Sequence, residues 1–257
     1  MNAGVSKPIY VFPKSSRIRV PSIVKSGLVF WYDASNYDSY PESGTTWRDL
    51  TENANNGTLT GGSSWTSLFG GAMFFNGTNG YIDIANSNSL TITEKITMEC
   101  WCRPDAVANA TNGDGLISKG LSSDGNAGLY EIFLFPVSGV NTVRARFRLI
   151  ISGVPTTVAL NIGEIPISNL PYHIAFTFDG GIIRGYINGK IKGVTTSGYG
   201  TIESNSNGMA LASRWTLRGS GVSDSHFTGP IFQSRIYNRD LSAKEVTRNY
   251  IAGLKSK

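Results

Sequence analysis

The stretch from Tyr172 to Val194 constrains the fold most, because its apolar residues recur with the two-residue period of a β-strand. Between His173 and Phe178, apolar side chains alternate with smaller or more polar ones. Asp179-Gly180-Gly181 breaks this run. A second run ends at Asn188-Gly189, a dipeptide that readily adopts the positive φ angles of a tight hairpin turn. The pattern predicts three consecutive antiparallel strands with one face buried. A further hairpin is predicted from Phe74-Phe75 and Tyr81–Ile84, which flank the Asn-Gly turn residues 76–80.

The composition favours an all-β chain with one core. The 257 residues include 30 glycines, 11% aromatic residues and only 16% charged residues, which is typical of many short strands joined by glycine turns. No linker divides the chain, so we expect a single sandwich over residues 27–257. Antiparallel strands at this spacing are typical of two stacked sheets.

One short helix is predicted at the C-terminus. Ser242 and Glu245 have the spacing of a capping box, in which each residue caps the backbone of the other. Leu241 and Val246 can form a hydrophobic staple, and Gly253 is expected to end the helix.

Several segments carry a resemblance to a known family, and they occur in the family's order along the chain. They are Met73–Ile84, Ile96–Pro104, Leu116–Gly120, His173–Lys190 and Arg235–Val246. These segments resemble the LamG-like jelly-roll family, the concanavalin A-like lectin and glucanase sandwiches. The resemblance implies a two-sheet antiparallel jelly roll in which the strand starting at Leu28 lies beside the last strand. The opening segment, Ser26–Gly62, resembles the subgroup found in virion proteins of tailed phages.

Residues 1–26 form a separate basic segment. It holds five Lys or Arg and no acid, so it carries the whole formal charge of +5, and the rest of the chain is neutral. Three prolines favour an extended arm. We predict that this arm contacts a neighbouring subunit or another virion protein; the alternative is an added edge strand on its own sandwich. The residues assigned to the contact are Lys7, Tyr10, Phe12, Lys14, Arg17, Arg19 and Lys25.

The remaining sequence argues against several other classes of protein. A neutral body does not favour a nucleic-acid groove across the sandwich. Neither a secretory signal nor an apolar run long enough for a membrane span is present, so we expect synthesis in the host cytoplasm, no membrane contact and a final location in the virion. Cys100 and Cys102 are two residues apart in one strand, which is poor geometry for a disulfide, so free thiols are expected.

The chain lacks the carboxylate pattern of its hydrolytic relatives. Glucanases of the family carry E-x-D-x-E on one strand, whereas Glu131 here is followed by Ile-Phe-Leu. His173 is predicted to be a structural strand residue and His226 an exposed loop residue. No catalytic residue is assigned, and the protein is predicted not to be an enzyme.

Ligand binding is the activity that the resemblance leaves open. Calcium is bound by loop oxygens in related sandwiches, and the candidates here are Asn79, Asp83 and Asp124, although Gly80 replaces an Asp that many relatives have. No other cofactor is expected. Loop aromatics that could stack on a sugar, or alternatively plug the sandwich edge, are Tyr37, Tyr40, Trp47, Trp65 and Tyr199. Arg144, Arg146 and Arg148 share one face of a strand, which could be a solvated side or a sugar or partner surface.

These observations lead to a main prediction and two alternatives. The main prediction is a non-enzymatic structural protein of a phage particle, capsid- or tail-associated, anchored by its arm and present as a homo-oligomer. The first alternative is a carbohydrate-binding adhesin that recognises a host surface glycan, and the second is a glycan hydrolase.

Overall fold

The chain folds into two antiparallel β-sheets packed face to face, with one helix near its C-terminus, which confirms the predicted all-β jelly-roll sandwich. The computed structural model describes residues 21–106, 113–120, 129–152, 158–196, 200–214 and 225–254. The first sheet has the order β14 (Lys190–Thr196), β13 (Ile182–Ile187), β12 (Tyr172–Phe178), β7 (Ile96–Cys102), β16 (Thr228–Tyr237), β5 (Ala72–Asn76) and β4 (Ser64–Thr66), with β1 (Leu28–Asp33) also paired to β16. The second sheet has the order β11 (Val158–Pro166), β10 (Thr142–Leu149), β9 (Tyr130–Pro136), β8 (Asp114–Lys119), β15 (Met209–Leu211), β6 (Tyr81–Ile84), β3 (Gly57–Thr60) and β2 (Thr46–Trp47).

The meander and the closing strand pair were both predicted correctly. β12, β13 and β14 pair consecutively, and Asn188 and Gly189 have φ angles of 51° and 72° in the second turn. β1 pairs antiparallel with β16, so the first and last strands of the sandwich lie side by side.

Alternating apolar side chains from both sheets fill the space between the layers. Phe147 of β10 stacks on Phe176 of β12, with ring centroids 5.1 Å apart, so the two sheets pack directly against each other. Cys100 and Cys102 are buried in the same core and are free thiols, as predicted. Burying these apolar surfaces supplies the main free energy of folding.

One predicted hairpin is wrong. The sequence around Asn76–Gly80 suggested that β5 and β6 pair with each other, but β5 belongs to the first sheet and β6 to the second. The Asn76 side chain accepts hydrogen bonds from the backbone N–H groups of Thr78, Asn79 and Gly80, and this turn carries the chain from one layer to the other. Strand period and turn residues are the same for a hairpin and for a crossover between sheets, so they do not distinguish the two.

The C-terminal helix, α1 (Ala243–Gly253), covers the outer side of the first sheet. Ser242 and Glu245 form the predicted capping box. Gly253 is the last helical residue, and it serves close packing, because a Cβ there would lie 2.3 Å from Trp101 Nε1. Within the described ranges, no helix has the length and apolar character required to cross a membrane.

A buried polar network joins α1 to the sheet. The carboxylate of Glu99 on β7 accepts hydrogen bonds from Arg235 of β16 at 3.1 Å and from Asn249 of α1 at 3.0 Å. His173 Nε2 lies 3.8 Å from the same carboxylate. Burial by itself would raise the pKa of Glu99, but His173, Arg235 and Asn249 together hold this pKa below its ordinary value. Each buried charge therefore has partners, as a low-dielectric site requires.

Residues 21–26 lie against this helix and not away from the sandwich. The backbone N–H of Val24 donates to Asn249 Oδ1, and the Tyr237 hydroxyl donates to the carbonyl of Val24. Lys25 places its ammonium 3.8 Å from the ring centroid of Trp31, and its pKa is lowered by burial and by Arg235. The other six residues assigned to the arm contact, Lys7, Tyr10, Phe12, Lys14, Arg17 and Arg19, lie outside the described residues.

The helix cap makes fold stability dependent on acid pH. Hydrogen bonds from Arg239 to Glu245, opposed by burial and joined by bonds from Ser242, lower the pKa of Glu245 to about 2. A carboxyl group with a depressed folded-state pKa stabilises the fold above its unfolded pKa of 4.5, and this contribution is lost as the pH falls towards 2. We expect Glu245→Gln to flatten the pH dependence of the melting temperature between pH 4.5 and 2. A variant with the same slope as the unmodified protein would contradict this assignment.

Candidate functional site

The outer side of the second sheet carries a cluster of charged and aromatic side chains. Successive strand residues point to opposite faces, so the residues of β9 and β10 that do not enter the core point outward together. Antiparallel pairing places Phe133 opposite Arg146, and Glu131 opposite Arg148. We call this surface the arginine face. Its members are Ser118, Glu131, Phe133, Phe135, Arg144, Arg146, Arg148, Asn161, Glu164 and Arg214.

The carboxylate of Glu131 lies at the centre of the arginine face and is completely buried. It accepts hydrogen bonds from Arg148 Nε at 2.7 Å, from Arg214 Nε at 3.2 Å and from Ser118 Oγ at 3.2 Å. Two guanidinium groups therefore share this carboxylate. Charge-assisted bonds of this kind are strong and directional, so they fix both arginines.

A glycine allows Arg214 to reach this position. A Cβ on Gly115 of β8 would lie 2.4 Å from the carbonyl carbon of Ser213, so only glycine lets the backbone at Ser213 approach β8 so closely. Sequence reasoning missed Arg214, because it is 83 residues from Glu131 along the chain and no local pattern connects the two.

Phe133 lies beneath three of the arginines. The guanidinium carbons of Arg214, Arg148 and Arg146 are 4.8, 5.2 and 5.8 Å from its ring centroid. These distances are within the range of cation–π attraction. Phe133 is fully buried as a result, although it points away from the core.

Arg146 has a different environment from its two neighbours. Its guanidinium lies 4.4 Å from the Phe135 ring, and its Nε donates to Asn161 Oδ1. Burial, and then the charges of Arg214 and Arg144, lower the pKa of Arg146. Among the described residues, the groups that Arg146 contacts are thus neutral, and the charges that shift its pKa are positive.

The accessible part of the arginine face spans three adjacent strands. Phe135 and Arg146 are half-buried, while Arg144 and Asn161 are exposed. Arg144 contacts Glu164 of β11 at 3.7 Å, with about half of each side chain exposed to solvent. Because strands β9 to β11 are paired along their length, these groups are held on a rigid support.

The aromatic residues predicted to stack on a sugar occupy different environments. Trp47 is completely buried and Tyr40 is 3% exposed, so neither has a free ring face, which corrects their assignment as sugar platforms. Trp65 packs partly against the core and donates its indole N–H to a backbone carbonyl at 3.0 Å. Tyr37 is 71% exposed and remains accessible. Tyr199 lies outside the described residues.

Two of the three calcium candidates, Asn79 and Asp83, lie in the described part of the chain. Asn79 Oδ1 accepts hydrogen bonds from Gly62 N–H and from the Asn76 amide, so this oxygen is used within the turn. Asp83 lies on β6, and Asp124 is outside the described residues. In the part of the chain that the structure describes, no three His, Cys, Asp or Glu side chains come together as a metal site.

The side chains considered for catalysis, Glu131, His173 and His226, are all at least partly buried and contact other side chains. Glu131 is engaged by two arginines, and His173 is buried beneath the helix, where it contacts the rings of both Trp101 and Tyr250. His226 was predicted to be exposed, but it is partly buried, and its ring lies 5.8 Å from that of Tyr81.

Apart from the arginine face, a cavity opens at one end of the sandwich. Its volume is about 230 Å³, and hydroxyl and amide side chains of residues 88–95 and Asn238 form most of its wall. No aromatic side chain of the described residues lines this cavity, and the Lys95 ammonium is paired with Asp240 at 3.3 Å. It therefore offers fewer groups for ligand recognition than the arginine face.

Comparison with known proteins assigns the fold to a family. The family described as the concanavalin A-like lectin/glucanases superfamily matches residues 76–247, which is more than half of the chain. The chain belongs to this superfamily. Among curated proteins, none has a significantly similar sequence.

Solved structures with the same fold include domains of enzymes and toxins. Domain 4 of an extracellular GH43 arabinanase from Geobacillus stearothermophilus, in complex with arabinotriose, is 21% identical with a TM-score of 0.62; the match covers 88% of this chain and 100% of that domain. The binding domain of Paraclostridial Mosquitocidal Protein 1 is 17% identical with a TM-score of 0.64, and 87% of this chain matches 52% of it. Trypanosoma rangeli sialidase is 15% identical with a TM-score of 0.64, and 90% of this chain matches 33% of the enzyme.

The buried carboxylate at the centre of the arginine face gives a stability prediction. Glu131→Gln removes the charge of the carboxylate that two guanidinium groups share, and we expect it to lower the free energy of unfolding by roughly 3–5 kcal/mol. Glu164→Gln is the matched control on the same face; it removes only the solvent-exposed contact with Arg144 and should cost about 1 kcal/mol or less. Urea denaturation measures both. Equal effects of the two substitutions would show that Glu131 does not organise this surface.

Proposed function

We propose that this protein is a non-catalytic carbohydrate-binding domain and that its binding surface is the arginine face. The observation that carries this proposal is the accessible row of Phe135, Arg146 and Asn161 on three adjacent strands. A saccharide is recognised by groups that combine apolar contact with directional hydrogen bonds, held in a pre-organised arrangement. Here the aromatic ring provides the apolar contact, and the guanidinium fork and the carboxamide provide the hydrogen bonds.

The relatives support the same proposal. The superfamily includes lectins, and the chain spans the whole of an arabinanase domain that is solved with a bound trisaccharide. It spans about half of the toxin binding domains with the same fold. The carbohydrate-binding alternative from the sequence therefore becomes the leading function.

Absence of catalysis is part of the proposal. Glycoside hydrolysis requires two carboxyl groups that can act on one bond, one as acid and the other as nucleophile or base. On the arginine face, Glu131 is buried and engaged by Arg148 and Arg214. The acid that is exposed there, Glu164, pairs with Arg144.

The role in a phage particle stays a prediction from the sequence. It rests on the opening segment and on the basic residues 1–26, and it is compatible with glycan binding. The arm would attach the protein to other virion proteins, while the arginine face would contact a glycan.

A glycan array with the full chain tests the proposed function. We expect binding to a subset of saccharides, and we expect Asn161→Ala to weaken it about fivefold through loss of one hydrogen bond worth about 1 kcal/mol. Tyr37→Ala is the control, because Tyr37 is an exposed aromatic in a loop away from β9 to β11. Loss of binding with Tyr37→Ala and full binding with Asn161→Ala would move the site to the loop.

A further inference from the structure

We propose that the saccharide bound at the arginine face carries an acidic group, a carboxylate or a sulfate, and that Arg146 is the residue that pairs with it. This inference rests on the proposed function and specifies its ligand class. It follows from the way in which the charges of the arginine face are distributed among their partners.

Among the described residues, the arginine face contains more positive than negative charge. Four guanidinium groups lie on it, and two carboxylates accompany them. The buried carboxylate of Glu131 is shared by Arg148 and Arg214. The exposed carboxylate of Glu164 contacts Arg144 at 3.7 Å, a distance and exposure at which attraction is weak and screened by salt. An anionic ligand group would balance this excess.

Arg146 is the member of the cluster without a carboxylate. Within the described residues, its contacts are the amide oxygen of Asn161 and the rings of Phe133 and Phe135. Stacking on Phe135 fixes the plane of the guanidinium, so less conformational freedom is lost when its N–H groups bind a ligand. A planar guanidinium fork matches the two oxygens of a carboxylate or two oxygens of a sulfate.

The surrounding charges reinforce the preference for an anion. Arg146 is half-buried and shares the Phe133 ring with Arg214, so it is partly shielded from water and close to another positive charge. In agreement with this, burial and then Arg214 and Arg144 lower its pKa. Electrostatic attraction is stronger in such a site than in bulk water. Asn161, beside it, can bond a neighbouring hydroxyl group of the same sugar.

The charge distribution favours a discrete acidic group over a nucleic-acid backbone. Residues 27–257 carry equal numbers of basic and acidic residues, and the formal excess of +5 lies in residues 1–26. Binding along a phosphate backbone requires several neutralised phosphates. In the described part of the chain, Arg146 provides one guanidinium that has no carboxylate partner, which fits one acidic group on a sugar.

Calorimetric titration of the full chain at physiological salt tests this inference. The ligands are short uronic-acid and sulfated oligosaccharides, each paired with its methyl-esterified or desulfated counterpart, and one short oligonucleotide. The variants are Arg146→Gln and Arg146→Lys. Two variants serve as controls for charge: Lys192→Gln changes an exposed lysine on the other sheet, and a fourfold arm variant combines Lys7→Gln, Lys14→Gln, Arg17→Gln and Arg19→Gln.

The expected result is that an acidic oligosaccharide binds about tenfold more tightly than its uncharged counterpart, as one charge-assisted pair predicts. Arg146→Gln should remove this difference, and Arg146→Lys should retain part of it. Lys192→Gln and the arm variant should leave it unchanged. Unaltered thermal unfolding of Arg146→Gln would assign its effect to binding.

Three results would overturn the inference, and they are distinct from failure of the proposed function. The first is equal binding of acidic and uncharged oligosaccharides. The second is an acid preference that survives Arg146→Gln or disappears in the arm variant. The third is Arg146-dependent binding of the oligonucleotide alone. If saccharides of neither kind bind, the proposed function itself is wrong.

Discussion

The shared carboxylate of Glu131 is the interaction on which the arginine face depends. Without it, Arg148 and Arg214 would repel each other above Phe133, in a place where little water is available to screen them. With it, both guanidinium groups are fixed and Phe133 is buried beneath them. Among the described residues, Arg146 then has only neutral groups as contacts. A buried ion pair adds little net stability, but removing one partner is costly, so its main contribution here is a defined surface geometry.

Each sheet carries a buried glutamate on its outer side, and the two are completed differently. Glu99 on the first sheet is paired with Arg235 and then covered by α1, whose Asn249 donates to the same carboxylate. Glu131 on the second sheet is paired with Arg148 and Arg214, and the residues beside them, such as Arg144 and Asn161, are exposed to solvent. One outer face is thus used to hold the helix and residues 21–26, and the other presents polar and aromatic groups for recognition.

Local patterns predicted the elements, whereas the site depends on contacts between distant residues. The two-residue period gave the meander, and the spacing of Ser242 and Glu245 gave the helix cap, because both depend only on neighbours in sequence. The alternation of arginines on β10 also indicated a shared face. The pairing of Arg214 with Glu131 was not predictable, since tertiary packing brings these two distant residues together. Trp47 was assigned to a sugar site because polar residues flank it, but burial depends on how the preceding loop folds over the core.

Backbone NMR of the isotopically labelled full chain, titrated with an array-selected saccharide, tests the central claim most directly. The account predicts that the largest shift changes fall on amides of β9, β10 and β11 next to Phe135, Arg146 and Asn161. Amides of β7, β16 and α1, which belong to the opposite sheet and its outer side, should remain unchanged. Shift changes concentrated in the loop around Tyr37, or in the cavity of residues 88–95, with none on β9 to β11, would contradict it.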